Sequence, residues 1–236
     1  MSYEFIEDKW LADKLSLQFA HKLIFNGEEG ELSTLKISLP EKSNFIHTSV
    51  PCHNLIALNK LIDYGFKVVD TRLTLSQDTY FTLPVSEMTT CRESIPEDKA
   101  IVSEIARTSF IFSRFHLDPL IPNEKANALK SAWAENFFNK SRGDALIVAE
   151  TKNSSIAGFL LLLKGKEKWV IDIIAVDSKY RNLGVAKQLI SYANKKFSLL
   201  NVGTQASNLI SLRLYESLGF KIISSEYVLH YHKNMS

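Results

Sequence analysis

The sequence predicts an α/β (α+β) chain, and three observations carry that expectation. Residues 145–176 hold three apolar runs, "ALIVAE", "IAGFLLLLKG" and "WVIDIIAV", separated by the polar breaks "TKNSS" and "KEK". Short β-rich runs joined by turn-like breaks are the grammar of an antiparallel meander. Helical and strand patterns then alternate to the end of the chain. Finally, one phrase occurs twice at an offset of 154 residues, as "NLIALNKLIDYGFKVV" at 54–69 and "NLISLRLYESLGFKII" at 208–223.

Residues 1–85 read as a unit of their own, with "KLIFN" and "NFIHTSVP" as strands, the first copy of the phrase as a helix, and "FKVVDTRLTL" as a strand. The polar stretch "SQDTYFTLPVSEMTT" reads as a linker to a second unit, residues 86–236. That unit opens on a strand near Met88, followed by a loop and helix in "SIPEDKAIVSEIARTSFIFSRF". "NEKANALKSAWAENFFNKS" gives a second helix with Ala126, Leu129, Trp133 and Phe137 on one face. After the meander, "GVAKQLISYANKKF" places Val185, Leu189, Ile190 and Ala193 at helical spacing, and "SLLNVGTQ" suits a strand. The second copy of the phrase is a helix capped by Ser207 or Asn208 and stopped by Gly219. "FKIISSEYVLHYH" alternates as a final strand.

Bulk properties narrow the function. With 45% hydrophobic and 23% charged residues, the chain of 236 has the composition of a soluble globular protein. A net charge of +2 is too small to argue for nucleic acid or a membrane surface as partner, and neither is expected. The longest apolar run, "IAGFLLLL", is too short to span a bilayer, and "MSYEFIEDKW" has no secretory-signal character. Cys52 and Cys91 make no disulfide framework, and no zinc-type spacing occurs, so a reduced, cytoplasmic location without a metal is expected. His230 and His232 alternate on the last strand without a third ligand in sight.

The segment "VDSKYRNLGVAKQLI" carries the chemistry. A strand ends at Val176, a short loop crosses Arg181–Gly184, and a helix begins, offering free backbone N–H groups and the positive end of the helix dipole to a phosphate. Gly184 lets an anion approach closely, and Lys187 adds a cation. A Rossmann-type G-x-G-x-x-G is absent.

Arg181-Asn182-Leu183-Gly184-Val185-Ala186 resembles the R/Q-x-x-G-x-G/A pyrophosphate loop of the GNAT N-acetyltransferase superfamily, and Asn208, Tyr215 and Gly219-Phe220 resemble its second motif. The resemblance covers about the last 150 residues, with Ser178 where the family often has Pro and Asn182 where it often has Gly. It implies a mixed, mostly antiparallel sheet with splayed central strands, and acetyl-CoA as cosubstrate. The backbone of Ile174 and Val176 would hold the pantetheine arm, and the amides from Asn182 to Lys187 the pyrophosphate. Asn208 would bond the pantetheine, and Tyr215 would protonate the leaving thiolate, a task for which a phenol near pKa 10 is suited. Asp172, sharing a face with Ile174 and Val176 by alternation, is either the base, direct or through water, or a paired or solvated carboxylate.

"FIFSRFHLDPLIP" (110–122) lies where this superfamily builds its acceptor site. Arg114 suits a phosphate, His116 could act as base or donor, and Asp118 adds an acid; the other reading is a solvated loop with an internal Arg–Asp pair. "SRF", Trp133 with Asn136, and "RGD" at 142–144 resemble bacterial acetyltransferases of dTDP-4-amino-4,6-dideoxy sugars, the dTDP-fucosamine type. The resemblance implies direct acetyl transfer to a small amine on a nucleotide sugar, and a homodimer is open. The alternatives are an amino acid, a polyamine or a protein N-terminus as acceptor, or a non-catalytic acetyl-CoA-binding module. Residues 1–85 then read as a reduced, GNAT-like half-fold, with Leu61 where the second copy has Tyr215.

Overall fold

The computed structural model describes residues 2–26, 36–84 and 87–233. Among the described residues ten strands form one sheet in the order β1-β2-β3-β10-β4-β9-β8-β7-β6-β5. They are β1 (Ser2–Glu7), β2 (Ala20–Asn26), β3 (Phe45–Pro51), β4 (Lys67–Gln77), β5 (Thr89–Glu93), β6 (Ala145–Thr151), β7 (Ile156–Lys164), β8 (Trp169–Val176), β9 (Leu200–Gln205) and β10 (Phe220–His232). Among the described strands only β2–β3 and β8–β9 pair in parallel. The mixed, mostly antiparallel sheet expected from the sequence is therefore present.

Among the described residues six α-helices cover the two faces: α1 (Lys9–Leu15), α2 (Leu55–Asp63), α3 (Lys99–Ser109), α4 (Asn123–Phe138), α5 (Val185–Lys196) and α6 (Leu209–Ser217). On one face Val185, Leu189 and Ile190 of α5 and Tyr215 of α6 pack with Leu75, Leu160, Ile171 and Val202. On the other, Val102 and Ile105 of α3 and Ala134 of α4 pack with Val148, Phe159, Leu161 and Ile173. Leu11 and Leu15 of α1 extend that side over Phe45, Phe115 and Leu129.

The repeated phrase folds as one grammar used twice. Asn54 caps α2 by accepting from the Ala57 amide, and Asn208 caps α6 by accepting from the Ser211 amide. Each helix stops before a left-handed glycine, Gly65 (φ 93°) or Gly219 (φ 78°), whose backbone a side chain would strain. Leu61 and Tyr215 are both buried against the sheet. The strands that follow exchange places: β10 lies between β3 and β4, and β4 between β10 and β9. Arg72 stands opposite Glu226 at the centre of the β4–β10 pair, and the two side chains form an ion pair. Pro51 opposite Glu226 on one side matches Gln205 opposite Arg72 on the other.

One sequence expectation is corrected here. Ser76 and Gln77, read as the start of a linker, are the buried end of β4. The Gln77 amide bonds Asn194 of α5, the Leu218 carbonyl and the Leu200 amide, so it ties three elements together. The expected boundary at 85/86 falls outside the described residues. Among the described residues no helix is long and apolar enough to cross a membrane.

Candidate active site

The two central parallel strands part company. β8 and β9 pair only from Trp169–Leu200 to Ile171–Val202, after which β8 runs on to Val176 and β9 to Gln205 without further bonds between them. The Asp177 amide bonds the Ala157 carbonyl of β7 at 2.9 Å, so by alternation the backbone N–H and C=O groups of Ile174 and Val176 turn to the open gap. An extended ligand can add to such an edge as a strand would.

At the end of β8, Asp177 caps a short 3-10 turn through the Lys179 amide, and Arg181 Nε reaches back to the Val176 carbonyl at 3.3 Å. Asn182 takes φ 62° and Gly184 φ 78°, so Asn fills the left-handed position that a Gly often takes. A side chain on Gly184 would meet nothing within 4 Å, and Arg181, Asn182, Leu183 and Gly184 are all exposed. Among the described residues no side chain caps α5, so the first-turn amides of Val185, Ala186 and Lys187 have no side-chain partner, an arrangement that suits an anion.

Tyr215 lies in the core under α5 and α6, 3% exposed, its ring centroid 5.3 Å from that of Phe220. Burial pushes its phenol well above the usual range, so it stays protonated at neutral pH. Among the described residues no group bonds its hydroxyl. Asn208 spends its side-chain oxygen on the α6 cap and keeps its amide N–H groups.

Asp172 takes the paired alternative, and only its expected shared face with Ile174 and Val176 is missing. A bulge between Leu161–Ile173 and Leu162–Ile171 makes it the unpaired residue of β8. It turns toward α4, where Arg142 Nη2 (2.7 Å), Arg142 Nε (2.9 Å) and Trp133 Nε1 (2.9 Å) bond its carboxylate. Ile174 and Val176 instead pack toward the α5 side. The shared face predicted by simple alternation does not exist.

On the α4 side, Lys130 lies over the rings of Phe110 (4.9 Å) and Trp133 (5.0 Å). Burial holds its ammonium down to about 8 despite Asp172 nearby. Arg114 stacks on Phe115 at 4.5 Å, and burial with the Arg72 charge lowers its guanidinium to about 10, against the pull of Asp8 and Asp70. Among the described residues it forms no ion pair, and the internal pair with Asp118 is absent.

His116 and Asp118 instead brace the 110–122 segment. His116 lies between Ser113 Oγ (2.6 Å) and Asn127 Oδ1 (2.9 Å). One Asp118 oxygen accepts from His230 Nδ1 (2.6 Å) and His232 Nε2 (2.7 Å), and the other from the Leu120 amide. Burial opposes its ionisation, yet these donors hold the carboxyl well below the usual range. This supplies the third group that sequence spacing did not offer to the two histidines. Asp118, His230 and His232 are residue types that hold metals, but their separations here are hydrogen-bond lengths. Neighbouring His47 is also buried, beside Asp8.

Residues 108–220 match the model of the Acetyltransferase (GNAT) family. The chain carries a GNAT acetyltransferase domain. It is similar to the spore coat polysaccharide biosynthesis protein SpsD of Bacillus subtilis, 31% identical over 57% of this chain and 48% of that protein. It is also similar to the [ribosomal protein bS18]-alanine N-acetyltransferase of Escherichia coli, 29% identical over 37% of this chain and 64% of that enzyme. The chain thus spans from about half to just under two thirds of these relatives. A GCN5-related N-acetyltransferase from Sphaerobacter thermophilus shares the fold at a TM-score of 0.56 and 16% identity, over 80% of this chain and 59% of that one.

Sequence reading missed Lys130, Asp70 and the His47–Asp8 neighbourhood. Only folding brings these scattered groups to one face of the sheet, and none stands in a spacing that signals a site.

Proposed function

We propose that this protein transfers the acetyl group of acetyl-CoA to the amine of a nucleotide-activated 4-amino-4,6-dideoxy sugar. The observation that carries the transfer is the cleft between β8 and β9, with the Gly184 turn at its mouth and the buried Tyr215 hydroxyl without a partner. The amides of residues 182–187 hold the pyrophosphate, and Ile174 and Val176 hold the pantetheine beside the Asn208 amide. The amine attacks the thioester carbonyl in a ternary complex. A nitrogen–carbon bond forms, the carbon–sulfur bond breaks, and Tyr215 gives its proton to the sulfur. Neither cysteine is needed as a nucleophile; burial pushes the Cys91 thiol up to about 11, away from reactivity.

Arg114, a stacked cation with donors to spare, receives the diphosphate of the acceptor. The likeness to a protein named for polysaccharide biosynthesis supports a sugar acceptor. Asp172 orients Arg142 and Trp133 along the acceptor side, and His116 and Asp118 hold the 110–122 segment in shape. Residues 1–85 act as a degenerate GNAT-like half-fold that lends β4 to the catalytic segment, residues 86–236.

The likeness to an alanine N-acetyltransferase favours a second reading, a peptide N-terminus as acceptor. Thiol release from acetyl-CoA, measured with dTDP-4-amino-4,6-dideoxy sugars, an alanine-ended peptide and a polyamine, separates the two. Turnover on the nucleotide sugars supports the first reading. Turnover on the peptide alone replaces it with the second, and acetyl-CoA binding with no turnover on any amine would leave a binding module.

A further inference from the structure

We infer that Asp70, from the N-terminal segment, is the carboxylate that takes the proton from the acceptor amine. The inference rests on the acetyl-transfer reading and supplies the base that reading lacks. Register places Asp70 at the cleft. Ile171, opposite Val202, is the last β8 residue paired with β9, so the cleft opens beyond it, between the Val176 end of β8 and the Gln205 end of β9. β4 borders β9 on its other side, with Arg72 opposite Gln205 and the Ala206 amide bonded to the Thr71 carbonyl at 2.8 Å. Asp70 is the next residue along that wall, level with the end of β9 where the cleft is open.

The face is the acceptor's. Leu73 and Leu75 of β4 belong to the core under α5 and α6. By alternation Asp70 and Arg72 take the opposite face, toward the segment that carries Arg114. The fields of Asp70 and Arg72 both reach the Arg114 guanidinium. Asp70 is thus on the same side as the proposed diphosphate ligand, with the cleft beside it.

Chemical freedom distinguishes Asp70 from Asp172. Both Asp172 oxygens are bonded by Arg142, and a carboxylate so clamped must break the pair to accept a proton. Asp70 is 7% exposed and is bonded by the Gln205 side chain and the Thr71 amide. The charges that face it are Arg72, itself paired with Glu226 of β10, and Arg114 from the covering segment, while Val228 lies directly opposite. Burial outweighs these charges and holds the carboxyl at about 6, close to the value at which a general base is effective near neutrality. In the step, the amine nitrogen bonds the thioester carbon as the carbon–sulfur bond breaks. The nitrogen's proton passes to Asp70, directly or through one water, and the sulfur takes the Tyr215 proton. Solvent returns the Asp70 proton to the tyrosinate.

The test uses the full chain, acetyl-CoA and whichever acceptor the panel turns over, reading kcat against pH. Wild type should lose kcat tenfold per pH unit below about 6. Asp70→Asn should lower kcat roughly 100-fold or more, abolish that limb, and leave acetyl-CoA affinity by calorimetry within about threefold. Asp70→Glu, which keeps a carboxylate, should recover part of the rate and the limb. An Asp70→Asn enzyme with the wild-type kcat and limb, or one that loses only acceptor KM, overturns this inference while acetyl transfer stands. No turnover by wild type on any amine overturns both.

Discussion

Asp118→Ala separates a structural staple from a substrate contact. The carboxylate is 2% exposed and serves three donors, His230 Nδ1, His232 Nε2 and the Leu120 amide, at 2.6, 2.7 and 2.9 Å. Removing it strands the two buried histidine donors and the part-buried Leu120 amide, each at about 1–3 kcal/mol before relaxation. A change of histidine tautomer recovers part, leaving roughly 3–5 kcal/mol of lost stability, the usual cost of breaking a buried charged network. For a chain of this size that lowers Tm by on the order of 10 °C. Thermal unfolding by circular dichroism at pH 7.5 reads it, with acetyl-CoA affinity by calorimetry well below Tm as the control. The staple predicts a large Tm loss with acetyl-CoA affinity unchanged, because the anion loop lies on another element. A Tm within about 2 °C of wild type together with a raised acceptor KM would refute the reasoning and return Asp118 to the substrate.

Acid should unfold the protein through His47 and His230, which face each other across β3 and β10 and which burial, chiefly, holds at about 4 and about 3. An unfolded histidine binds a proton below about 6.5, so their stability contribution is whole above that pH and drains away as pH falls toward 4 and then 3. Between pH 7.5 and 4.5 the two together cost roughly 3–5 kcal/mol. An unchanged urea midpoint over that interval would contradict this. Gly184→Ala meets no steric neighbour, so its cost is the left-handed backbone alone, about 1–2 kcal/mol. Acetyl-CoA Kd should rise roughly tenfold with Tm down by a few degrees; wild-type affinity would show that the loop does not hold the pyrophosphate.

Local signals were legible and long-range ones were not. The meander, α3 to α6, β9 and the Gly184 turn follow from apolar spacing, caps and breakers carried within each segment. Asn182 is instructive, since its tolerance of left-handed backbone was readable and the chain uses it at φ 62°. The bulge at Asp172 was hidden because "WVIDIIAV" holds no glycine or proline to mark it, and the Trp133 and Arg142 bonds that accompany it come from other elements. β1 and α1 also escaped notice, as short elements stabilised by neighbours far along the chain. The repeat announced two similar helix–strand units, while the exchange of β4 and β10 depends on pairing between segments 154 residues apart. Asp118 shows the same limit, for its partners lie 112 and 114 residues away.

The central claim is that Tyr215 protonates the leaving thiolate of acetyl-CoA, and Tyr215→Phe tests it most directly. The ring keeps its place beside Phe220 while the one hydroxyl is removed. With a dTDP-4-amino-4,6-dideoxy sugar as acceptor, thiol release should fall roughly 100-fold to 10,000-fold while acetyl-CoA still binds within about threefold of wild type. A Tyr215→Phe enzyme that releases CoA at the wild-type rate would contradict the account.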